Sequence, residues 1–235
     1  MLQGNSDKGL VRAENQDALL IEKISDSSAF IIVCDGMGGA RGGAVASGLA
    51  SELILKHLKE QENKDIEQML KEAICQANKV VFEKSLEEEE LSGMGTTVVA
   101  IVLQKDEAFI AHVGDSRAYL VGKNEITQLT VDHSYVQEMV DTGKISKEEA
   151  RNHPKKNIIT RALGVADKVE AEISKVKLQE GQVLLACTDG LINHVLDEEI
   201  LNIVQNSEDK VNELIALANS RGGSDNITVA IADIQ

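Results

Sequence analysis

Three aspartates stand where apolar runs of the chain end or begin. Asp35 directly follows the run 29–34 and precedes Gly36, Asp189 follows 182–188 and precedes Gly190, and Asp225 precedes the run starting at Asn226. Asp115, within Gly114-Asp115-Ser116, occupies a turn between two further strand-like stretches. Carboxylates gathered at the rim of a core repel one another unless a cation neutralises them. Hard divalent ions do this through oxygen ligands alone, which fits magnesium or manganese. No histidine or cysteine cluster supplies the nitrogen or sulfur that zinc prefers. An Asp-Gly pair after a strand is also an ordinary turn, and its recurrence at apolar strand ends weighs against that plainer reading.

Arg12 opens the stretch Arg12-Ala13-Glu14-Asn15-Gln16-Asp17. A guanidinium fork grips a phosphate dianion in bidentate fashion, although a lone arginine is more often a surface ion-pair partner. The run Gly36-Met37-Gly38-Gly39-Ala40-Arg41-Gly42-Gly43 is not a nucleotide loop. Arg41 stands where the dinucleotide fingerprint needs glycine, and no Gly-Lys-Ser/Thr follows. Its use is backbone access: Gly36 can offer a carbonyl to a cation, and the later glycines let a helix start against a sheet.

The elements that must place these residues are legible in outline. Strands are expected at 29–34, 96–103, 108–113, 182–187 and 226–234, most of them apolar on both faces, as in covered sheets. Residues 104–107 and 114–116 both fit hairpins. A helix is expected at about 43–59, and a second carries the stripe Ile66, Met69, Leu70, Ala73, Ile74, Ala77, Val80 and Val81. A third, near 209–219, stops at Gly222 and Gly223. Residues 134–152 read as a helix–turn–helix with Ser146 and Glu149 as a capping box, little apolar surface, and the character of a mobile flap. Strands adjacent in sequence and helices in blocks predict an α+β fold.

Composition narrows the function. The 235 residues carry 39 acidic against 24 basic side chains, a net charge of −15, with no tryptophan, two tyrosines and three phenylalanines. Such a chain repels phosphate backbones and lacks stacking platforms, so nucleic acid is not an expected partner. Cys34, Cys75 and Cys187 form no metal or disulfide spacing, and Cys34 and Cys187 read as core residues. With no leader and no apolar run of membrane-spanning length, the expectation is a single domain over 1–235 in a reducing, cytoplasmic compartment. A catalytic domain cut from a larger protein would read the same way.

The chain resembles the type 2C, metal-dependent protein phosphatases, closely their bacterial members, and the resemblance spans nearly its whole length. Arg12 to Asp17 matches R-x-x-N-[EQ]-D, and Asp35-Gly36-Met37-Gly38-Gly39 matches D-G-x-G-G. Gly95-Thr96-Thr97, His112-Val113-Gly114-Asp115-Ser116-Arg117, Leu129-Thr130 with Asp132-His133-Ser134, and Ile159-Thr160-Arg161-Ala162-Leu163-Gly164 follow in order. Thr188-Asp189-Gly190-Leu191 and Ser224-Asp225-Asn226-Ile227-Thr228-Val229 complete the set.

The resemblance implies a four-layer α-β-β-α sandwich of two antiparallel sheets, with a flap subdomain at about 132–165. It implies that Asp35, Asp189 and Asp225 hold one Mn2+ or Mg2+, that Asp35 and the Gly36 carbonyl hold a second with Asp17 reached through water, and that Asp115 and Asp189 form a weaker third site. Arg12 would take the substrate phosphate, and a water activated by the two core ions would attack phosphorus, with no protein nucleophile. The implied activity is release of phosphate from phosphoserine and phosphothreonine in phosphoproteins, opposing a bacterial Ser/Thr kinase, by a monomer. Eukaryotic relatives have histidine where this chain has Met37, so the leaving serine would take its proton from metal-bound water or from a flap residue such as His133, water being favoured. The alternatives are a catalytically silent pseudophosphatase that binds phosphoproteins, and a regulatory partner that uses its acidic surface alone.

Overall fold

The computed structural model describes residues 1–25, 28–60 and 65–234. One sheet runs, edge to edge, β1 (Leu2–Asp7), β11 (Ile227–Asp233), β10 (Val183–Cys187), β7 (Arg117–Val121) and β8 (Ile126–Gln128). The other runs β2 (Asp17–Ser25), β3 (Ser28–Met37), β5 (Val98–Gln104), β6 (Glu107–Val113) and β9 (Glu172–Lys177), with the short β4 (Gly95–Thr96) pairing the end of β3. Every pairing is antiparallel.

The strand residues explain the layers. Along β3, Phe30, Ile32 and Cys34 face α1 (Gly39–Glu60) and α2 (Ile66–Glu87), while Ala29, Ile31 and Val33 face the other sheet. That alternation is the period of a pleated strand, and both of its faces are apolar because both are covered. The opposite sheet turns Leu185, Val229 and Ile231 outward onto α5 (Asp189–Ile192), α6 (Asp197–Asn206) and α7 (Lys210–Ser220). Its Leu184, Ala186 and Ala230 turn inward to the space between the sheets. Three apolar seams therefore hold four layers, helix–sheet–sheet–helix, as expected. Cys34 and Cys187 are buried in these seams, and burial pushes the Cys187 thiol up to about 12.

Three expectations need correction. Residues 114–116 do not form a hairpin, because β6 and β7 lie in different sheets and this segment carries the chain across. Gly114 makes that crossing possible: it sits at φ +108°, and a Cβ there would come within 2.5 Å of the Thr97 side chain. A three-residue gap between apolar strands does not distinguish a turn from a crossing. The first helix starts at Gly39, not Gly43. Its glycines serve close approach, since a Cβ on Gly43 would meet Gln16 Oε1 at 2.4 Å. Asp35 ends up inside β3 instead of just beyond it, because the short β4 extends the ladder to Met37.

Between β8 and β9 the chain forms α3 (Tyr135–Asp141) and α4 (Lys147–Arg151). Ser134 caps α3, and Ser146 and Glu149 form the expected capping box on α4, each accepting from the other's backbone N–H. Ser146→Ala should weaken α4 by about 1 kcal/mol, seen as faster hydrogen exchange at 147–151 without a matching change in the sheets.

Candidate metal centre

Five aspartates reach one end of the sandwich by different routes. Asp17 opens β2 and lies directly across the ladder from Asp35 on β3. Asp189 is the first residue of α5, Asp225 stands two residues before β11, and Asp115 lies on the crossing between sheets. The field at Asp35 includes Asp17, Asp189, Asp115 and Asp225, and the Asp35 and Asp189 side chains are within hydrogen-bonding reach. Burial, then mutual repulsion, holds Asp35 well above the usual carboxylate range. Burial likewise raises Asp115 and Asp189, each pushed further by a neighbouring carboxylate. Asp17 is pushed up to about 7, chiefly by burial and against the pull of two threonine hydroxyls.

Those hydroxyls leave one oxygen of Asp17 bare. Thr228 and Thr188 donate to Asp17 Oδ2 at 2.6 and 3.0 Å, whereas its Oδ1 is buried with no hydrogen-bond partner. Asp189 repeats the arrangement, with Oδ2 accepting from Asn193 Nδ2 at 2.9 Å and Oδ1 buried and unpartnered. A buried carboxylate oxygen without a donor costs about 1–3 kcal/mol or more. Two such oxygens among repelling, oxygen-only groups fit hard divalent cations.

The surrounding motifs act as clamps. Asp35 donates its N–H to Thr97 Oγ1 at 3.0 Å, and its carbonyl accepts from Thr97 N–H and Thr96 Oγ1, both at 2.9 Å. Thr97 Oγ1 in turn lies 2.7 Å from Ser116 Oγ, tying Asp35 to the segment that carries Asp115. Gly36 is required for packing: a Cβ there would come within 2.2 Å of the Gly43 carbonyl and 2.4 Å of the Gln16 carbonyl. Asn226 accepts from Gln16 N–H at 2.8 Å and donates to the Lys8 and Glu14 carbonyls at 2.9 Å, so it anchors the loop bearing Arg12. Sequence reasoning placed Thr188, Thr228 and Asn226 within motifs and gave none of them a task. The signal available was a hydroxyl or amide next to each aspartate.

Arg12, half exposed, donates Nη2 to Asp225 Oδ2 at 2.7 Å. Arg117 is committed elsewhere, in a bidentate pair with Asp132 at 2.8 and 2.7 Å. Among the described residues, the set of three candidate ligand side chains whose atoms all lie within 4.8 Å is not aspartate but His112, His133 and Glu172. Its hydrogen bonds argue against a metal. His133 Nδ1 accepts from Gly114 N–H at 3.0 Å, while its Nε2 lies 3.0 Å from Glu172 Oε1 and 3.1 Å from Arg161 Nη1, so both ring nitrogens are already engaged. Ligation through Nε2 would displace both partners and set a cation against the Arg161 guanidinium. His133 instead stacks on His112 with centroids 4.6 Å apart, and burial lowers the pKa of both rings. The aspartates form a wider bowl, and Asp115 and Asp189 also line a cleft of about 350 Å³ together with Lys147, Arg151 and Lys156.

Two face-to-face antiparallel sheets with a bowl of aspartates at one end are the architecture of a metal-dependent protein phosphatase. The profile of the protein phosphatase 2C family matches residues 10–228. The serine/threonine phosphatase stp of Listeria welshimeri is 43% identical over 235 residues, covering 97% of this chain and 93% of that protein. The Mycobacterium tuberculosis serine/threonine phosphatase PstP superposes with a TM-score of 0.92 at 38% identity, covering 100% of this chain and 98% of that structure. A PstP catalytic domain in complex with two manganese ions gives 0.89 at 36% identity, covering 100% and 98%. The chain belongs to the protein phosphatase 2C family.

Proposed function

We propose that this protein removes phosphate from phosphoserine and phosphothreonine in other proteins, with Mn2+ or Mg2+ as its cofactor. The observation that carries the reading is the pair of buried, unpartnered oxygens, Asp17 Oδ1 and Asp189 Oδ1, in a cluster where Asp17, Asp35 and Asp189 are all held above the usual carboxylate range. Asp35, Asp189 and Asp225 would hold one ion, Asp35 and the Gly36 carbonyl the other, with Asp17 reached through water. Asp115 and Asp189 would form a weaker third site. When bound, the ions supply Lewis acidity, lowering the pKa of water toward neutrality and offsetting charge on the phosphoryl oxygens.

The chain's own groups do the rest. The threonines on Asp17 and the Thr96–Thr97 clamp on Asp35 keep two ligands oriented before substrate arrives, which removes reorganisation from the barrier. Arg12 has guanidinium N–H groups beyond its bond to Asp225, and these would receive the substrate phosphate at the rim. Met37 donates no proton, and His133 Nε2 is engaged by Glu172 and Arg161, so the leaving serine would be protonated by water. The α3–α4 segment would act as a flap within a single domain. Substitutions between Ser134 and Asn152 would alter substrate preference more than metal affinity. A soluble cytoplasmic monomer opposing a bacterial Ser/Thr kinase completes the reading. No helix among the described residues is long and apolar enough to cross a membrane.

Release of phosphate from a panel of phosphoserine and phosphothreonine peptides, in Mn2+ and after chelation, tests the activity. Metal-dependent turnover supports it, and tight peptide binding without turnover would favour the pseudophosphatase instead. Arg12→Ala should raise KM about tenfold, the loss of one charge-assisted phosphate contact worth about 1.4 kcal/mol, and lower kcat less.

A further inference from the structure

Asp189 is reached from the α3–α4 side by an unbroken chain of hydrogen bonds. Lys156 Nζ donates to Asn193 Oδ1 at 2.8 Å, and Asn193 Nδ2 donates to Asp189 Oδ2 at 2.9 Å. The amide has only one sensible orientation here, because an ammonium needs an acceptor and a carboxylate needs a donor. Both contacts are charge-assisted. They hold the Asp189 carboxylate by one oxygen and leave Oδ1, buried and unpartnered, facing the bowl.

Helix α5 is built to make this contact. It is a four-residue helix, Asp189–Ile192, and Asn193 N–H bonds to the Asp189 carbonyl at 2.8 Å, placing side chains 189 and 193 on one face. So short a helix has little stability of its own and leaves carbonyls unpaired at its C-terminal end. Arg151, the last residue of α4, supplies the donor: its Nη2 bonds to the Ile192 carbonyl at 2.9 Å and to the Val195 carbonyl at 3.0 Å. One basic group from the α3–α4 side thus caps α5 while another orients the amide that orients Asp189.

We propose that Asn193 is a positioning residue for Asp189, and that Lys156 and Arg151 act through it and through α5 to couple the α3–α4 segment to the metal centre. The proposal rests on the metal-centred reading above. Coupling is reciprocal: if docking of α3–α4 favours the ligating orientation of Asp189, ion binding must favour docking by the same factor. Substitutions at 151 and 156 should therefore alter metal affinity, which narrows the substrate-preference expectation to residues of the segment that do not reach α5.

The test is calorimetric titration of Mn2+ into metal-free wild type, Asn193→Ala, Lys156→Met and Lys156→Arg, with hydrogen exchange across 135–151 measured with and without Mn2+. Loss of a partner that orients a ligand costs about 10–100-fold in metal affinity, so at least one Mn2+ should bind about tenfold more weakly to Asn193→Ala and Lys156→Met. Mn2+ should slow exchange at 135–151 in wild type and not in those two variants. Lys156→Arg, which keeps a cationic donor for Asn193, should restore both. Variants that lose metal-free stability but bind Mn2+ and gain protection as wild type does would overturn the proposal, because that is what a purely structural role predicts. Should Asn193→Ala fail to fold, Lys156→Met breaks the same chain from its far end and decides alone. Wild type that takes up no Mn2+ would sink the metal-centred reading itself, a different outcome from equal binding by all four proteins.

Discussion

Asp35→Asn should cost about a thousandfold in metal-dependent phosphate release, equivalent to the several kcal/mol of charge stabilisation that bound cations provide. The same substitution should raise the melting temperature of the metal-free protein. Asp35 sits in the field of four other carboxylates, and burial and repulsion already hold it well above the ordinary range. An amide of the same shape removes that repulsion while leaving the backbone bonds to Thr96 and Thr97 in place. Above the ordinary carboxylate range the aspartate must take up a proton or bear that repulsion in order to fold, and the amide does neither, so the substitution is stabilising, the reverse of breaking an ion pair. The two readouts separate a lost ligand from a lost fold, which would reduce both. Turnover on phosphopeptides in Mn2+ and a chelated thermal melt check the pair. Retained turnover would remove Asp35 from the machinery.

What could be read before the structure was known follows from where information sits in such a chain. Central strands such as β3, β5, β10 and β11 are apolar on both faces, and a continuous β-branched run is hard to mistake when both sides of a sheet are covered. The four edge strands, β1, β2, β8 and β9, were not legible, because an edge carries polar residues and part-exposed faces that look like loop. That cost something at the site. Without β2, nothing in the spacing of Asp17 and Asp35 shows them to be cross-strand neighbours. The aspartates were visible because a carboxylate at the end of an apolar run is chemically conspicuous. Their supports were not, because a threonine such as Thr228 looks like any β-branched strand residue until its hydroxyl is seen 2.6 Å from Asp17. Asn193 is hidden more deeply still. Its importance depends on α5 being a single turn of helix and on Lys156 arriving from a segment 37 residues away.

The raised carboxylates also set how stability should vary with pH, and with what sign. Asp17 has its pKa pushed from the usual 3.8 to about 7, and Asp35, Asp115 and Asp189 move in the same direction. In the metal-free protein the folded state therefore holds protons that the unfolded chain has already released above pH 4. Folding takes up protons across this window, so stability is full below the ordinary carboxylate range and falls as pH rises to about 7. Asp17 alone should contribute a loss on the order of a few kcal/mol. Manganese reverses the trend. Its ligands must be deprotonated, so binding releases protons and tightens over the same interval. At a hundredfold excess over Kd the ion adds about 2.7 kcal/mol, roughly 5–10 °C for a chain of this size. The expected result is a metal-free melting temperature that falls between pH 5 and 7.5, and a Mn2+-induced increment that grows over those same values. Asp17→Asn should flatten the metal-free slope, since it removes one of the raised carboxyls. A metal-free melting temperature that climbs through this range in wild type, or a Mn2+ increment equal at both ends of it, would mean that these carboxylates are not the groups the ion neutralises.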